Sequence, residues 1–349
     1  MLLQQARDAV NRAGFEGWLF YNVYHRDQVA DAVLAIDADA INTRPWLALI
    51  RADGQVIKIV HEIENRALDH INGITYVYAS RSDFAKLLVH LAPCGSIIAA
   101  QCSQTLPRLS TLDHGTAQLL EHAGFILTPS ADLVQLTLGS LSTAQIATHD
   151  RAAAALYQIV TNCWQLLAST FNSGKKVDEE EVRDWILSAF TDLSLSTDHG
   201  PIVAFGVNSA DPHYSTAGRG SILSPGDVVQ LDLWCKEPTA KAVYADISWV
   251  GIAADRPTDR QQHTFAAVRA ARDRAVNFLA SAYAEGRRIT GSEVDTACRQ
   301  EFSDRGLLQA VRHRTGHSID TDLHGSGVNL DSYEFPDERP ITEGCCFSV

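Results

Sequence analysis

Three histidines fall within the thirteen residues of "HRTGHSIDTDLHG" (313–325): His313, His317 and His324. Two readings are open for such a run. It is a polar loop that happens to be rich in imidazole, or it lines a site where imidazoles bind a cation or handle a substrate. Two aspartates upstream favour the second. In "GDVVQLDLWCKEPTAKAVYADISWVGIA" (226–253), "VVQLDLWC" and "AVYADISWVGI" read as strands rich in β-branched and aromatic residues, yet each carries one Asp inside its apolar run, Asp232 and Asp246. The segment between them, 236–242 with Pro238, reads as a turn centred on Thr239, and each aspartate is seven residues from that centre. A simple antiparallel hairpin then sets the two carboxylates directly opposite one another.

Opposed side chains in such a ladder stand about 4.5–5.5 Å apart at Cβ, where like charges destabilise. Two buried carboxylates at that separation need a shared proton or a cation between them. The shared-proton dyad of acid proteases comes with Asp-Thr/Ser-Gly loops, which this sequence lacks. A divalent cation, or a pair of them bridged by carboxylates, is the expected answer. Against it stands a plainer reading, in which one strand is half exposed or bulged and carries an ordinary surface Asp. Carboxylates joined by a single imidazole suit Mn²⁺, Co²⁺ or Zn²⁺, because softer sites would use thiolates.

Something must hold these groups in place. At 349 residues the chain exceeds what one hydrophobic core usually serves, so two domains are expected. Hydrophobic residues at 46% and charged residues at 20% describe a globular protein. A formal charge of −13 without a basic cluster excludes a nucleic-acid backbone or an anionic membrane as partner. The seven cysteines form no CxxC pair, which fits reduced thiols, and the adjacent Cys345 and Cys346 read as strand packing. The N-terminus has charges interleaved with apolar residues, and no run of about 18 apolar residues occurs, so the expected location is cytoplasmic.

The first part of the chain mixes strands and helices. Residues 2–13 read as an amphipathic helix, 17–23 as a buried strand and 27–36 as helical. Residues 45–61 read as two strands about an Asp-Gly turn, "ITYVYAS" and "GSIIAAQ" as strands, and 82–91 and 111–123 as helices. That is an α/β domain without a catalytic cluster. The Ser/Thr/Gly-bearing stretch at 128–145 marks a boundary near 137–142. Helices are expected at 144–171, from 177 onward, at about 259–285 and at 292–305, with strands between the pairs. The Asp-Glu-Glu-Glu run at 178–181 reads as a solvated helix start, where acidic groups meet the positive end of the dipole.

Together these residues resemble the pita-bread metallopeptidases, the superfamily of aminopeptidase P, prolidase (Xaa-Pro dipeptidase), methionine aminopeptidase and creatinase. "PIVAFGVNSADPHY" is similar to the family strand that ends in Pro-His, "QLDLW" and "YADISW" to the two strands that each give a metal-binding Asp, and "HRTGHSIDTDLH" to the His-rich run. The resemblance implies an α/β creatinase-like domain over 1–138 and an α+β pita-bread catalytic domain over 139–349. It also implies two divalent metal ions, manganese foremost, with cobalt or zinc as alternatives. Asp232 would then bind one metal, Asp246 would bridge both and His317 would bind the second, with His213, His313 and His324 orienting substrate. The implied reaction is cleavage of Xaa-Pro bonds, in peptides or dipeptides with proline after the first residue, by a metal-bridging hydroxide. A homodimer formed through the first domain is implied as well.

Three departures from the family pattern stand out. Arg314 replaces a usual Gly, and Gly325 replaces a residue that is often acidic. "ITEGCCFSV" resembles the strand leading into a Glu-Pro-Gly whose Glu is the fourth ligand, with a fifth further on, and Val349 comes one residue before it. The expectation is therefore a C-terminally incomplete copy with little activity as it stands. A methionine aminopeptidase lacks this first domain, and creatinase works without metal, which the two aspartates argue against. A relative that keeps the fold as a binding or scaffold protein is the alternative.

Overall fold

The computed structural model describes residues 2–92, 96–218 and 220–349. Its contacts separate two compact units. One comprises residues 1–140, 290–292 and 326–345, and the other 141–289, 293–325 and 346–349.

The apolar run "GWLFYN" becomes β1 (Gly17–Asn22), an interior strand of the first unit's sheet. Around it are α1 (Leu2–Ala13), α2 (Gln28–Leu34), β2 (Trp46–Arg51), β3 (Val56–His61), β4 (Ile74–Tyr78), α3 (Arg81–Leu91), β5 (Ile97–Ala100), α4 (His114–Ala123), β6 (Ile126–Pro129) and α5 (Ala131–Thr137). The sheet runs β4-β3-β2-β1-β5-β6, and β2 is antiparallel to both of its neighbours. Both faces are covered, which is why its inner strands read as continuous apolar runs rather than alternating ones. Trp18 and Phe20 pack with Ala6, Ala9 and Val10 of α1 and Leu133 and Val134 of α5. Leu19 and Leu49 face the other way, toward Phe84 and Leu88 of α3 and Leu120 of α4.

The Asp-Gly turn forms as expected. Asp53 Oδ1 accepts from the Gln55 amide at 2.9 Å, and Gly54 takes φ +82°, which a side chain rarely adopts. The end of the short β6 and all of α5 lie in the stretch at 128–145, which reads only as a change of texture. Four and seven residues leave too little periodicity to show in a sequence window.

The second unit holds α6 (Thr143–Asn172), α7 (Glu179–Asp192), β7 (Ile202–Phe205), β8 (Val228–Cys235), β9 (Ala245–Ile252), α8 (Asp259–Ala284) and most of α9 (Gly291–Asp304). Capping boxes at Ser142–Gln145 and Thr258–Gln261 start α6 and α8. The strands form a three-stranded antiparallel sheet, β7-β8-β9. Its inner face, including Leu231 and Leu233, meets Leu156, Ile159 and Val160 of α6 and Val182 and Ile186 of α7 in one buried cluster. Alternation along β8 turns Asp232 to the opposite face.

Two expectations are corrected here. The segment at 341–349 is no regular strand but a turn followed by a single bridge, Ser318 to Phe347, because the Cys345 amide bonds back to Thr342 O at 3.2 Å. The acidic helix start is not all solvated, since Glu179 is fully buried. Among the described residues no cysteine forms a disulfide, and no helix is long and apolar enough to cross a membrane. Cys94 lies outside the described residues.

Candidate active site

Antiparallel pairing sets Asp232 opposite Ser248 and Asp246 opposite Trp234. The expected direct opposition of the two aspartates is therefore corrected: they share a face of the sheet and stand one diagonal step apart. The cause lies in the turn. Val243 and Tyr244 leave the ladder because their amides bond to Thr148 Oγ1 at 3.1 Å and Asp320 O at 3.0 Å. Pairing closes at Cys235–Ala245, which centres the hairpin on Ala240 rather than Thr239 and shifts its register by two. Diagonal neighbours are about 7–8 Å apart, so the conflict between the charges is softened but not removed. The Asp232 carboxyl is pushed up to about 6, chiefly by burial and further by Asp246. The Ser248 hydroxyl, which donates to Asp232 Oδ1 at 2.6 Å, opposes the rise, as do His317 and His213.

His317 reaches the same face from the irregular 313–325 segment, its Nε2 standing 3.4 Å from Asp246 Oδ2. Its Nδ1 lies 3.1 Å from Ser318 O. With Nδ1–H donating to that carbonyl, Nε2 turns its lone pair toward a carboxylate oxygen. Two acceptors then face each other, an arrangement that calls for a proton or a cation between them. A bond from Nδ1 to a carbonyl is also how metal-binding imidazoles are oriented. The donor set, two carboxylates and one imidazole, fits a hard or borderline divalent ion. Among the described residues, no group of three or more His, Cys, Asp or Glu side chains is drawn together closely enough to hold an ion as it stands. Asp246 and His317 form the close pair, and Asp232 is the donor held one step back.

The chain bends over 320–324, where the Asp320 amide bonds to Asp322 O at 3.1 Å and the Gly325 amide to Ser318 O at 2.7 Å. The bend brings the His324 ring edge-on to His317, with centroids 4.3 Å apart, although a straight strand would have placed the two on opposite faces. Gly325 closes it because a Cβ there would stand 2.8 Å from both Asp320 Oδ2 and Ser318 Oγ. A larger residue at this position, where the chain departs from the family pattern, would have to displace the Asp320 and Ser318 side chains. His213 is exposed on the loop after β7 and acts on Asp232 through its charge. His313 is also exposed, and its Nδ1 contacts Arg314 O at 2.6 Å rather than the His317–His324 pair.

Sequence reasoning missed Ser248, which bonds Asp232. The signal was there, since Ser248 lies two residues after Asp246 and so shares its face. It also missed Glu179, whose burial no local pattern announces.

Residues 147–349 match the profile of metallopeptidase family M24. An Xaa-Pro dipeptidase of Lactobacillus helveticus is 28% identical over 148 residues, covering 42% of this chain and 36% of that relative's length. A dipeptidase, PepE, from Mycobacterium ulcerans superimposes with a TM-score of 0.68 at 21% identity, over 99% of this chain and 86% of that one. The N-terminal domain of the FACT complex subunit SPT16 from chickpea (Cicer arietinum) shares the fold with a TM-score of 0.63 at 12% identity, over 99% and 87% of the two chains. With more than half of its length matched, the chain belongs to metallopeptidase family M24.

Proposed function

We propose that this protein hydrolyses Xaa-Pro bonds, in dipeptides or at the start of longer peptides, with two divalent ions of which manganese is the first choice. The observation that carries the proposal is the meeting of Asp232, Asp246 and His317 on one sheet face, with His317 Nε2 aimed at Asp246. Bound divalent ions would supply a water activated at neutral pH and a Lewis acid for the scissile carbonyl.

The chain's own residues have distinct parts. Asp232, Asp246 and His317 would hold the ions. Ser248 fixes the Asp232 carboxylate through its 2.6 Å bond. His324, packed edge-on against His317, braces that ring and presents its own imidazole to substrate. His213 and His313, both exposed, would approach the peptide from their loops. The proposal goes with a creatinase-like domain over 1–138, a catalytic domain over 139–349, a cytoplasmic location and a homodimer.

Ala-Pro hydrolysis with added Mn²⁺ tests it, beside Asp232→Asn and Asp246→Asn. Turnover that both substitutions abolish supports the reading, whereas turnover unchanged by either sinks it. The second reading is a peptide-binding protein without turnover. Calorimetric binding of Ala-Pro without product would select it.

A further inference from the structure

Glu179 opens α7, is fully buried and is outside the set of site residues named above. Its carboxylate accepts from the Phe205 amide at 2.6 Å, Asn208 Nδ2 at 3.0 Å, Tyr214 Oη at 2.7 Å and the Ser221 amide at 2.7 Å. All four donors are neutral, and both carboxylate oxygens are engaged. An unpaired buried charge is costly, so a site keeps one only where several donors converge on it. Phe205 ends β7, Asn208 lies in the turn after it, Tyr214 directly follows His213, and Ser221 brings the chain back to α7. One carboxyl group therefore ties both ends and the middle of the 205–221 loop.

Neighbouring contacts serve the same loop. Glu180 accepts from the Thr216 hydroxyl, and the Glu179 amide bonds to Ser221 O at 3.1 Å. A Cβ on Gly220 would come within 2.4 Å of Asp178 Oδ1, so only glycine lets the loop close on the helix start. The Tyr214 phenol keeps its proton to about 12, through burial and then its bond to Glu179. It therefore remains a donor over the whole working range.

Resting on the hydrolase reading of the site, we infer that Glu179 is a positioning residue: through Tyr214, Asn208, Phe205 and Ser221 it sets where His213 stands relative to Asp232. His213 itself is exposed, and its amide bonds to Asp211 Oδ1, at 2.9 Å, on the same loop.

The test reads the imidazole directly in the full chain, without metal or substrate. Histidine carbon–proton spectra are recorded for the parent, Glu179→Gln and Tyr214→Phe, with the His213 signal assigned by its loss in His213→Gln. The expected result is a His213 signal displaced by more than its linewidth in E179Q and, by less, in Y214F. The His317 and His324 signals stay in place in both. E179Q keeps the side-chain volume, and Y214F removes one donor without touching the buried charge, so the second variant serves even if the first unfolds. A His213 signal unmoved in a folded variant, or His317 and His324 moving equally with it, overturns the inference. Absence of hydrolysis in the parent chain would count against the proposed function alone, because this readout needs no turnover.

Discussion

Asp27 offers a quantitative test of the electrostatics of the first unit. It caps α2, accepting from the Ala30 amide at 3.0 Å, and is only 2% exposed. Burial pushes its carboxyl up to about 7, Asp31 adds to the rise, and the bond from the Ala30 amide opposes it. The native state therefore holds this proton more tightly than the unfolded chain, whose value is near the ordinary 3.8. By linkage the associated stability is complete below pH ~4, is lost as pH climbs from 3.8 to about 7, and stays lost above that. A displacement of roughly three pH units corresponds to about 4 kcal/mol. Asp27→Asn retains an oxygen for the cap and removes the charge, and Asn is as good an N-cap as Asp. The variant should match the parent at pH 4 and exceed its stability by up to about 4 kcal/mol at pH 8.5. Urea unfolding read by hydrogen exchange of the β1 amides, Gly17–Asn22, isolates this unit. Parent and variant curves that run parallel from pH 4 to 8.5 would refute the reasoning.

Three further outcomes are expected. Millimolar Mn²⁺ should raise the parent's Tm, and Asp232→Asn or Asp246→Asn should remove most of that rise; an equal rise in all three proteins would exclude these carboxylates as ligands. Leu231→Ala, at a position with no exposure between the sheet and α6, should cost about 2–5 kcal/mol by calorimetry or denaturant unfolding, and under 1 kcal/mol would mean the site collapses. Gly316→Ala would drive a Cβ to 1.8 Å from Ser348 O, where backbone pairs beside His317, so it should lower Tm by the equivalent of about 1–3 kcal/mol. An unchanged Tm in that variant would show that residues 346–349 do not pair with this segment in solution.

The elements and the kinds of group at the site follow from local patterns in the amino-acid sequence. Apolar runs with turn residues between them set β1, β2, β3, β8 and β9, and the long periodic stretches set α6 and α8, because their preference is local and repeated over many residues. Asp232, Asp246 and His317 were legible as an odd carboxylate pair near an imidazole, since charge inside an apolar strand is conspicuous wherever the strand goes. How these groups meet depends on contacts distant in sequence. The register of β8 on β9 turned on two amides, Val243 and Tyr244, that bond outside the hairpin, and no property of the hairpin sequence shows such distant acceptors. The turn of His324 toward His317 rests on a bend closed by Gly325 against Ser318 and Asp320. Glu179 looked like any acidic helix start, yet donors from three places on a separate loop made it a buried anchor. In each case the deciding interaction lies between residues too far apart in sequence for a local pattern to report it.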